Sequence, residues 1–254
     1  MPKDNRFIVI VPVYNAVKWI GKCLDSIISQ SYMNFNLLVI DDHSTDGTWD
    51  IVSCYGINAI QNEKRIGSAL ANIIHGIKLI AKNDEDIIVT VDGDDHLHDD
   101  NVLSYLDTVY QDDIWLTYGS FLPVSGRFKN TCQELGNINE ESWSGKDIIH
   151  SCTPRTYRES GMWVTSHLRT FKKWLWDKII DADLRDRDGK YFKVAWDLAF
   201  MYPMIEMANT HIKFIDKILY MYNDLNPICD GTIDPALQIS TGKYIQSKPM
   251  YNSL

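Results

Sequence analysis

Two clusters of aspartate residues have the composition of a divalent-metal site. Asp41-Asp42 and Asp92-Gly93-Asp94-Asp95 each follow directly on an apolar run. Adjacent carboxylates repel one another unless a cation or hydrogen-bond donors offset their charge, and carboxylate oxygens are ligands that Mg²⁺ and Mn²⁺ prefer. The second cluster, with the flexible Gly93 inside it, is therefore a candidate site for a cation that carries a diphosphate.

A D-x-D pair is weak evidence by itself. With 27 aspartates among 254 residues, about three such pairs arise by chance. Four occur: Asp84/Asp86, Asp92/Asp94, Asp181/Asp183 and Asp186/Asp188. Only Asp92/Asp94 follows directly on a strongly apolar run, so its oxygens are expected to converge at the end of a strand. The alternative is a turn of acidic residues that caps the next helix.

The elements that must position these clusters alternate between strand and helix. Apolar runs predict strands, and apolar residues at helical spacing predict helices. Strands are predicted at 7–13, 35–40, 57–61, 86–91 and 114–119, and helices at 19–28, 44–55 (capped by Ser44 or Thr45), 69–81 and 100–110. This alternation implies a mainly parallel sheet with helices on both faces, whose ligand crevice lies beyond the carboxyl ends of the strands. Both aspartate clusters fall there.

The second half of the chain has a weaker pattern. Residues 121–161 are rich in Gly, Ser, Asn and Pro, which is typical of binding loops and mobile covers. Helices are predicted at 170–180 and 196–208, and short strands at 211–215 and 218–222. Residues 223–254 show no clear period, so this tail is expected to pack back, to mediate oligomerisation or to stay loose.

Composition narrows the class of protein. With 45% hydrophobic and 23% charged residues, the chain is expected to form one globular domain plus a tail. A net charge of −9 disfavours a nucleic-acid partner. No apolar run is long enough to span a membrane, and the polar start lacks the pattern of a signal peptide. The cysteines are odd in number and scattered, which favours a reducing, cytoplasmic location; they are Cys23, Cys54, Cys132, Cys152 and Cys229.

Four motifs occur together and in order: VPVYN (11–15), DDHSTDGT (41–48), NEKRIGSALANIIHGI (62–77) and VDGDD (91–95). In this order and spacing they resemble the family 2 glycosyltransferases of the GT-A fold, over roughly residues 7–222. The resemblance implies an α/β fold with a Rossmann-like nucleotide-binding half at 1–119 and an acceptor-binding half at 120–222, followed by the tail at 223–254.

The resemblance also implies roles for residues of the first half. Pro12, Tyr14 and Asn15 would border the base and ribose, and Asp41 with Asp42 would accept hydrogen bonds from the nucleoside. The loop with Lys64, Arg65 and Gly67 would pass close to the nucleotide, in front of Asn72. Asp92 with Gly93 would contact the ribose, and Asp94 with Asp95 would hold Mn²⁺ or Mg²⁺ on the diphosphate. For the acidic residues the alternatives are helix capping and turn formation, and for Lys64 and Arg65 a solvated surface.

An inverting transfer needs a carboxylate base for the acceptor hydroxyl. The family provides it from an Asp that begins a late helix, which here resembles Asp197. Many members have Glu-Asp at this point, whereas this chain has Trp196-Asp197. Asp183 and Asp188 are the fallback candidates, and helix capping is the alternative role for Asp197.

Four further residues are expected on the acceptor side. Arg169 could hold a phosphate or a sugar hydroxyl, His167 could bind a metal or the acceptor, and Trp163 and Trp196 could stack on sugar rings. For each of them a structural role is the alternative.

The sequence therefore predicts transfer of a single sugar from a nucleotide-sugar, expected to be a UDP-sugar, to a hydroxyl of a glycan, lipid or protein. The Q-x-x-R-W signature of processive synthases is absent, which favours one transfer per encounter. Two alternatives stay open: a sugar-1-phosphate nucleotidyltransferase, whose Gly-rich loop does not match residues 12–15, and a catalytically silent glycan-binding module.

Overall fold

The fold is built on one sheet, whose strands come from the predicted apolar runs and from later segments of the chain. The computed structural model of the protein describes residues 3–126, 153–161, 165–228 and 234–254. Its strands are β1 (Phe7–Val13), β2 (Phe35–Asp41), β3 (Ala59–Gln61), β4 (Ile87–Thr90), β5 (His96–Leu97), β6 (Leu116–Pro123), β7 (Ser166–Lys172) and β8 (Ile212–Tyr222). Its helices are α1 (Ile20–Ile28), α2 (Thr48–Cys54), α3 (Ala69–Ile80), α4 (Val102–Tyr110), α5 (Tyr157–Ser160), α6 (Lys173–Trp176), α7 (Trp196–Ala208) and α8 (Pro235–Gln246), with a 3₁₀ turn at Asp181–Leu184.

The strand order in this sheet is β3-β2-β1-β4-β7-β6-β8-β5. The four strands from β3 to β4 pair in parallel, whereas β7 pairs antiparallel with both β4 and β6. Val13 at the end of β1 lies beside Asp41 at the end of β2, and Asp41 lies beside Gln61. The parallel strands therefore deliver their carboxyl ends to one edge, as the sequence predicts.

The near-continuous apolar sequence of β1 follows from packing on both faces of the sheet. Ile8 and Ile10 belong to the core beneath α3 and α7, whereas Phe7, Val9 and Val11 belong to the core beneath α1 and α4. All seven residues of β1 are buried. Alternate side chains point to opposite faces of a strand, so a strand with helices on both faces favours apolar residues at every position.

The predicted helix at 170–180 is wrong. Residues 166–172 form the strand β7, and helix follows only at Lys173–Trp176. Thr170 and Phe171 face Val89 and Ile88 of β4 and Thr117 and Leu116 of β6, so pairing with two long-range partners overrides the helical spacing of the apolar residues.

Two smaller expectations also differ from the structure. The short strands predicted at 211–215 and 218–222 form one strand, β8, which pairs with both β6 and β5. Helix α2 is capped neither by Ser44 nor by Thr45: it begins at Thr48, after Gly47 with φ of 94°. Ser44 instead donates its hydroxyl to Asp41.

The tail contains helix α8 and packs back on the sheet half. Asp234 caps α8 by accepting a hydrogen bond from the Leu237 N–H, and Pro235 occupies the first turn, both favourable at a helix start. The backbone N–H of Leu254 donates to the Met207 carbonyl at the end of α7. The division of the chain at residue 222 stays a prediction. Within the described ranges, no helix has both the length and the apolar character needed to cross a membrane.

A buried ion pair joins α5, α7 and the tail. Arg158 Nε and one terminal nitrogen donate to the two Glu206 carboxylate oxygens at 2.5 and 2.8 Å, and both side chains are at most 3% exposed. Arg158 also donates to the Ile245 carbonyl, and the Tyr251 N–H donates to Glu206. Each charge therefore has several partners, which a buried ion requires.

We expect Glu206→Gln to lower the free energy of unfolding by about 3–5 kcal/mol, because it leaves the Arg158 charge buried without its counter-ion. Urea denaturation followed by circular dichroism measures the change. Asp181→Asn is the matched control, since it breaks the exposed Asp181–Arg185 pair and is expected to cost at most about 1 kcal/mol. An equal loss in the two variants would contradict this assignment.

Candidate active site

A cavity of about 720 Å³ opens at the carboxyl edge of the parallel strands, between β1, β4 and the start of α7. Most of the predicted site residues line it. They are Pro12, Tyr14, Asn15, Asp42, Arg65, Gly67, Asn72, Asp92, Gly93, Asp94, Asp95, His167, Arg169, Trp196 and Asp197. Asp41 and Lys64 do not line it, and Trp163 and most of the irregular middle region lie outside the described residues.

The structure separates the roles of Asp41 and Asp42. Asp41 is fully buried, and its carboxylate accepts hydrogen bonds from the backbone and hydroxyl of Ser44 and from Gln61 Nε2. Its oxygens already accept three hydrogen bonds from protein donors, and the contact of Asp41 with a nucleoside stays a prediction. The sequence did not predict these hydrogen bonds, because Gln61 approaches Asp41 only through the β2–β3 pairing.

Asp42 lies at the cavity and organises the loop beyond it. One carboxylate oxygen accepts from Asn62 Nδ2 and the Ile66 N–H at 2.8 and 2.9 Å, and the other accepts from the Gly67 N–H at 2.7 Å. Gly67 has a φ of 71°, a left-handed conformation that favours glycine. Asp42 therefore fixes the loop that carries Arg65 into the cavity wall.

Tyr14 and Arg65 form one side of the cavity. The Arg65 guanidinium lies 3.8 Å from the centre of the Tyr14 ring, a cation–π contact. The preceding loop is held by Asn15, whose side-chain oxygen accepts from the Thr45 N–H and whose N–H donates to Ser44. The two motifs at 11–15 and 41–48 are thus one hydrogen-bonded unit.

Gly93 is required by packing rather than by flexibility. A Cβ at this position would lie 2.5 Å from Val13 Cβ and 3.2 Å from the Pro12 carbonyl oxygen. The absence of a side chain lets the loop after β4 lie directly against the end of β1. This close approach places Asp92 and Asp94 beside residues 12–15.

Residues at and after the end of β8 offset the negative charge of the second cluster. Asp95 accepts from the Tyr220 hydroxyl at 2.8 Å and from the Asn223 N–H at 2.7 Å, and Asp94 accepts from Asn226 Nδ2 at 2.6 Å. Burial, followed by the charges of Asp94 and Asp92, raises the pKa of Asp95 well above its usual range, and burial raises the pKa of Asp94. A cation beside these groups would favour their ionised forms.

The geometry suits a divalent cation between Asp92, Asp95 and His167. One ligand atom from each of these side chains lies within 4.8 Å of the others. Burial, followed by the Arg169 charge, lowers the pKa of His167 well below its usual range, so the neutral imidazole has a single lone pair, for which Arg169 and a metal would compete. The two carboxylates suit Mg²⁺ or Mn²⁺, and the imidazole suits transition metals. Asp95 was predicted as a ligand and His167 as a metal or acceptor residue, whereas Asp92 was predicted to contact the ribose; the predicted ligand Asp94 is not in this group.

Arg169 connects His167 to Asp197. Arg169 is 2% exposed; one terminal nitrogen donates to Asp197 at 2.7 Å, and the other lies 3.1 Å from His167 Nδ1. Its Nε atom has no hydrogen-bond partner in the described part of the chain. Asp197 lies in the first turn of α7, as predicted, and its second oxygen accepts from the Leu198 N–H.

Neither fallback base lines the cavity, and Trp196 is mostly buried. Asp183 and Asp188 do not line the cavity; Asp183 accepts from the Tyr251 hydroxyl, and Asp188 is exposed. Trp196 is 8% exposed and packs on Phe200, so it contributes mainly to the core and only an edge to the cavity. Asp197 is the candidate base that the fold brings to the site.

Several cavity residues were not singled out from the sequence. Tyr220 and Asn223 bind the second cluster, and Lys193, Asn226 and Gln238 line the cavity. Asn226 and Gln238 fall in the tail without a periodic pattern, and Tyr220 reads as an ordinary strand residue. No local signal identifies them, because their partners are more than 40 residues away in the chain.

Relatives of known sequence are similar over part of this chain. GlyA of Streptococcus pneumoniae serotype 4 is 35% identical over 133 residues, which are 49% of this chain and 18% of GlyA. An uncharacterized glycosyltransferase of Haemophilus influenzae is 31% identical over 122 residues, 44% of this chain and 46% of that protein. The chain thus spans less than half the length of these two relatives. GlyG of Streptococcus pneumoniae is 28% identical over 84% of this chain and 69% of its own length.

Solved structures share the fold. Residues 1–349 of S. aureus TarS align with a TM-score of 0.61 at 22% identity, covering 86% of this chain and 60% of that one. The mannosyltransferase PcManGT of Pyrobaculum calidifontis aligns with a TM-score of 0.62 at 17% identity, covering 98% of this chain and 67% of that one. The predicted α/β fold of the GT-A type is confirmed by this likeness and by the sheet.

The sequence model of one family covers more than half of the chain. It is described as glycosyl transferase family 2, and it matches residues 8–158, which include all four motifs and both aspartate clusters. The chain therefore belongs to glycosyl transferase family 2, and glycosyltransferases are among its relatives.

Proposed function

We propose that the enzyme transfers a single sugar from a UDP-sugar to a hydroxyl of a glycan, lipid or protein, with inversion and with the help of Mn²⁺ or Mg²⁺. Asp197 acts as the general base. One observation carries this proposal: Arg169 contacts both Asp197 and His167. His167, Asp92 and Asp95 form the metal group, and these residues line one cavity together with Arg169 and Asp197. Family membership disfavours a nucleotidyltransferase, and the joint presence of these groups disfavours a silent binding module.

The donor side of the cavity is supported by its polar residues and by the structural neighbours. Tyr14 and Arg65 offer a ring and a cation for a nucleoside and its phosphates. S. aureus TarS is known in complex with UDP-GlcNAc, and glucosyl-3-phosphoglycerate synthase of Mycobacterium tuberculosis in complex with Mn²⁺ and UDP. PcManGT is known with GDP-Man and Mn²⁺. These complexes favour a nucleoside diphosphate sugar, with a GDP-sugar as the second choice.

The metal group supports departure of the nucleoside diphosphate. A divalent cation held by Asp92, Asp95 and His167 would act as a Lewis acid that neutralises the charge developing on the diphosphate. Asn226 restrains Asp94, and Tyr220 restrains Asp95, so these carboxylates are oriented before a donor arrives. Such preorganised groups lose little free energy to rearrangement during the reaction.

Asp197 removes the proton of the acceptor hydroxyl. As the acceptor oxygen forms its bond to the anomeric carbon, the bond from that carbon to the diphosphate oxygen breaks, and its electron pair leaves with the nucleoside diphosphate. The hydroxyl proton passes to a carboxylate oxygen of Asp197. Arg169 holds that carboxylate with a charged hydrogen bond of 2.7 Å, which orients the base while its side chain stays 21% exposed at the cavity.

Donor binding is testable by thermal unfolding. With Mn²⁺ present, we expect UDP-glucose or UDP-GlcNAc at 100 times its Kd to raise the Tm by on the order of 5 °C, and UDP to be released slowly with water as the acceptor. GDP-mannose is the comparison donor. If none of the three sugars stabilises the enzyme and none releases its nucleotide, the proposed activity is wrong.

The metal group predicts a selective loss. We expect His167→Ala to weaken Mn²⁺ binding at least about 10-fold, because it removes one ligand. Titration calorimetry measures the change in affinity. His98→Ala is the matched control, since His98 is exposed and does not line the cavity. Asp94→Asn distinguishes the two ligand sets: a larger loss of affinity there than in His167→Ala would favour Asp94 over His167 as a ligand.

The base assignment predicts that Asp197→Asn lowers kcat by about 10²–10⁴-fold, since the amide cannot accept the proton, while the donor Kd changes less than about two-fold. Release of UDP and calorimetric titration with the donor provide the two values. Asp188→Asn is the control and the test of the fallback base, and its kcat should equal that of the wild type. Normal turnover by the Asp197 variant would place the base elsewhere.

A further inference from the structure

We propose that Gln238, in the C-terminal helix α8, is a positioning residue for Asp197. The inference rests on the proposed function, because it takes Asp197 as the base. Gln238 lines the same cavity as Asp197, although 41 positions separate them in the chain. Its side-chain oxygen accepts a hydrogen bond from the Ala195 N–H at 3.2 Å. The tail thus holds the backbone immediately before α7.

Ala195 is the residue that aims Asp197. It is the N-cap of α7 and has φ of 50° and ψ of 22°, a left-handed conformation that residues other than Gly, Asn and Asp rarely adopt. Its carbonyl accepts from the Leu198 N–H, but its methyl side chain cannot cap a helix. A strained residue without its own cap persists only where its surroundings hold it, and relaxation of Ala195 would rotate the first turn of α7.

Two side chains from other elements form hydrogen bonds with the backbone of residues 192–195. Ser68 Oγ, at the N-terminus of α3, donates to the Phe192 carbonyl at 2.7 Å, and Gln238 accepts from Ala195. The first fixes the segment on the donor side, and the second fixes it on the tail side. Because Ala195 N–H is a donor, the oxygen of the Gln238 amide must face it.

Helix α8 is itself fixed against α7, so that Gln238 is held in place. Gly242 faces Leu198 of α7 closely: a Cβ added at Gly242 would lie only 3.4 Å from Leu198 Cδ1. Ile245 is buried, and its carbonyl accepts a hydrogen bond from Arg158. The buried Arg158–Glu206 pair therefore anchors the far end of α8, and Gln238 transmits that anchor to the cavity.

The test compares Gln238→Leu with Gln246→Leu. Both variants remove one side-chain hydrogen bond from α8, but only Gln238 lines the cavity. Amide hydrogen exchange of peptides covering residues 193–199, read by mass spectrometry, reports the hold on Ala195 without any need for activity. Hydrolysis of UDP-glucose and UDP-GlcNAc with Mn²⁺ reports turnover.

We expect exchange in residues 193–199 to become on the order of 10-fold faster in Gln238→Leu and to stay unchanged in Gln246→Leu. The kcat for hydrolysis is expected to fall about 10-fold in Gln238→Leu, with the donor KM within about two-fold of the wild-type value. Gln238→Glu keeps an oxygen acceptor for the Ala195 N–H, so exchange should return to the wild-type rate.

Three results would overturn the inference: unchanged exchange in Gln238→Leu, equally fast exchange in Gln246→Leu, or wild-type kcat despite faster exchange in Gln238→Leu. The proposed function fails differently. A wild-type enzyme that hydrolyses neither donor, with exchange accelerated only in Gln238→Leu, contradicts the sugar transfer and leaves the hold of Gln238 on Ala195 standing.

Discussion

The buried guanidinium of Arg169 is the interaction on which the arrangement of the site depends. A cation inside a protein is stable only when charged or polar partners replace water, and Arg169 finds them in Asp197 and His167. These partners come from α7 and β7. One side chain therefore contacts both the base and the neighbouring imidazole, whose pKa is lowered first by burial and then by the Arg169 charge.

The two halves of the sheet are complementary in hydrogen bonding as well as in strand pairing. Strand β4 ends in three closely spaced carboxylates, which could not be packed together without donors. The donors come from β8 and the residues after it, chiefly Tyr220 and Asn223, which the sheet places beside β5 and hence beside Asp95. Residues late in the chain therefore complete a cluster whose carboxylates follow β4.

The C-terminal residues take part in this arrangement. The buried Arg158–Glu206 pair ties them to α5 and α7, and α8 reaches back to the cavity through Gln238. The stability of the fold and the geometry of the site are thus linked, because Glu206 of the buried pair lies in α7, the helix that also presents Asp197.

The sequence by itself determined the parts of the structure that depend on local pattern. The apolar runs of β1, β2 and β4 and the helical spacing of α3 placed both aspartate clusters at strand ends, and the motifs identified the family and the start of α7 at Asp197. Only the tertiary structure decided that residues 166–172 form a strand, that Asp41 accepts hydrogen bonds from Ser44 and Gln61, that His167 joins Asp92 and Asp95, and that Gln238 reaches Ala195. Periodicity reports which face of an element is buried, whereas these contacts depend on partners distant in sequence, which the fold alone brings together.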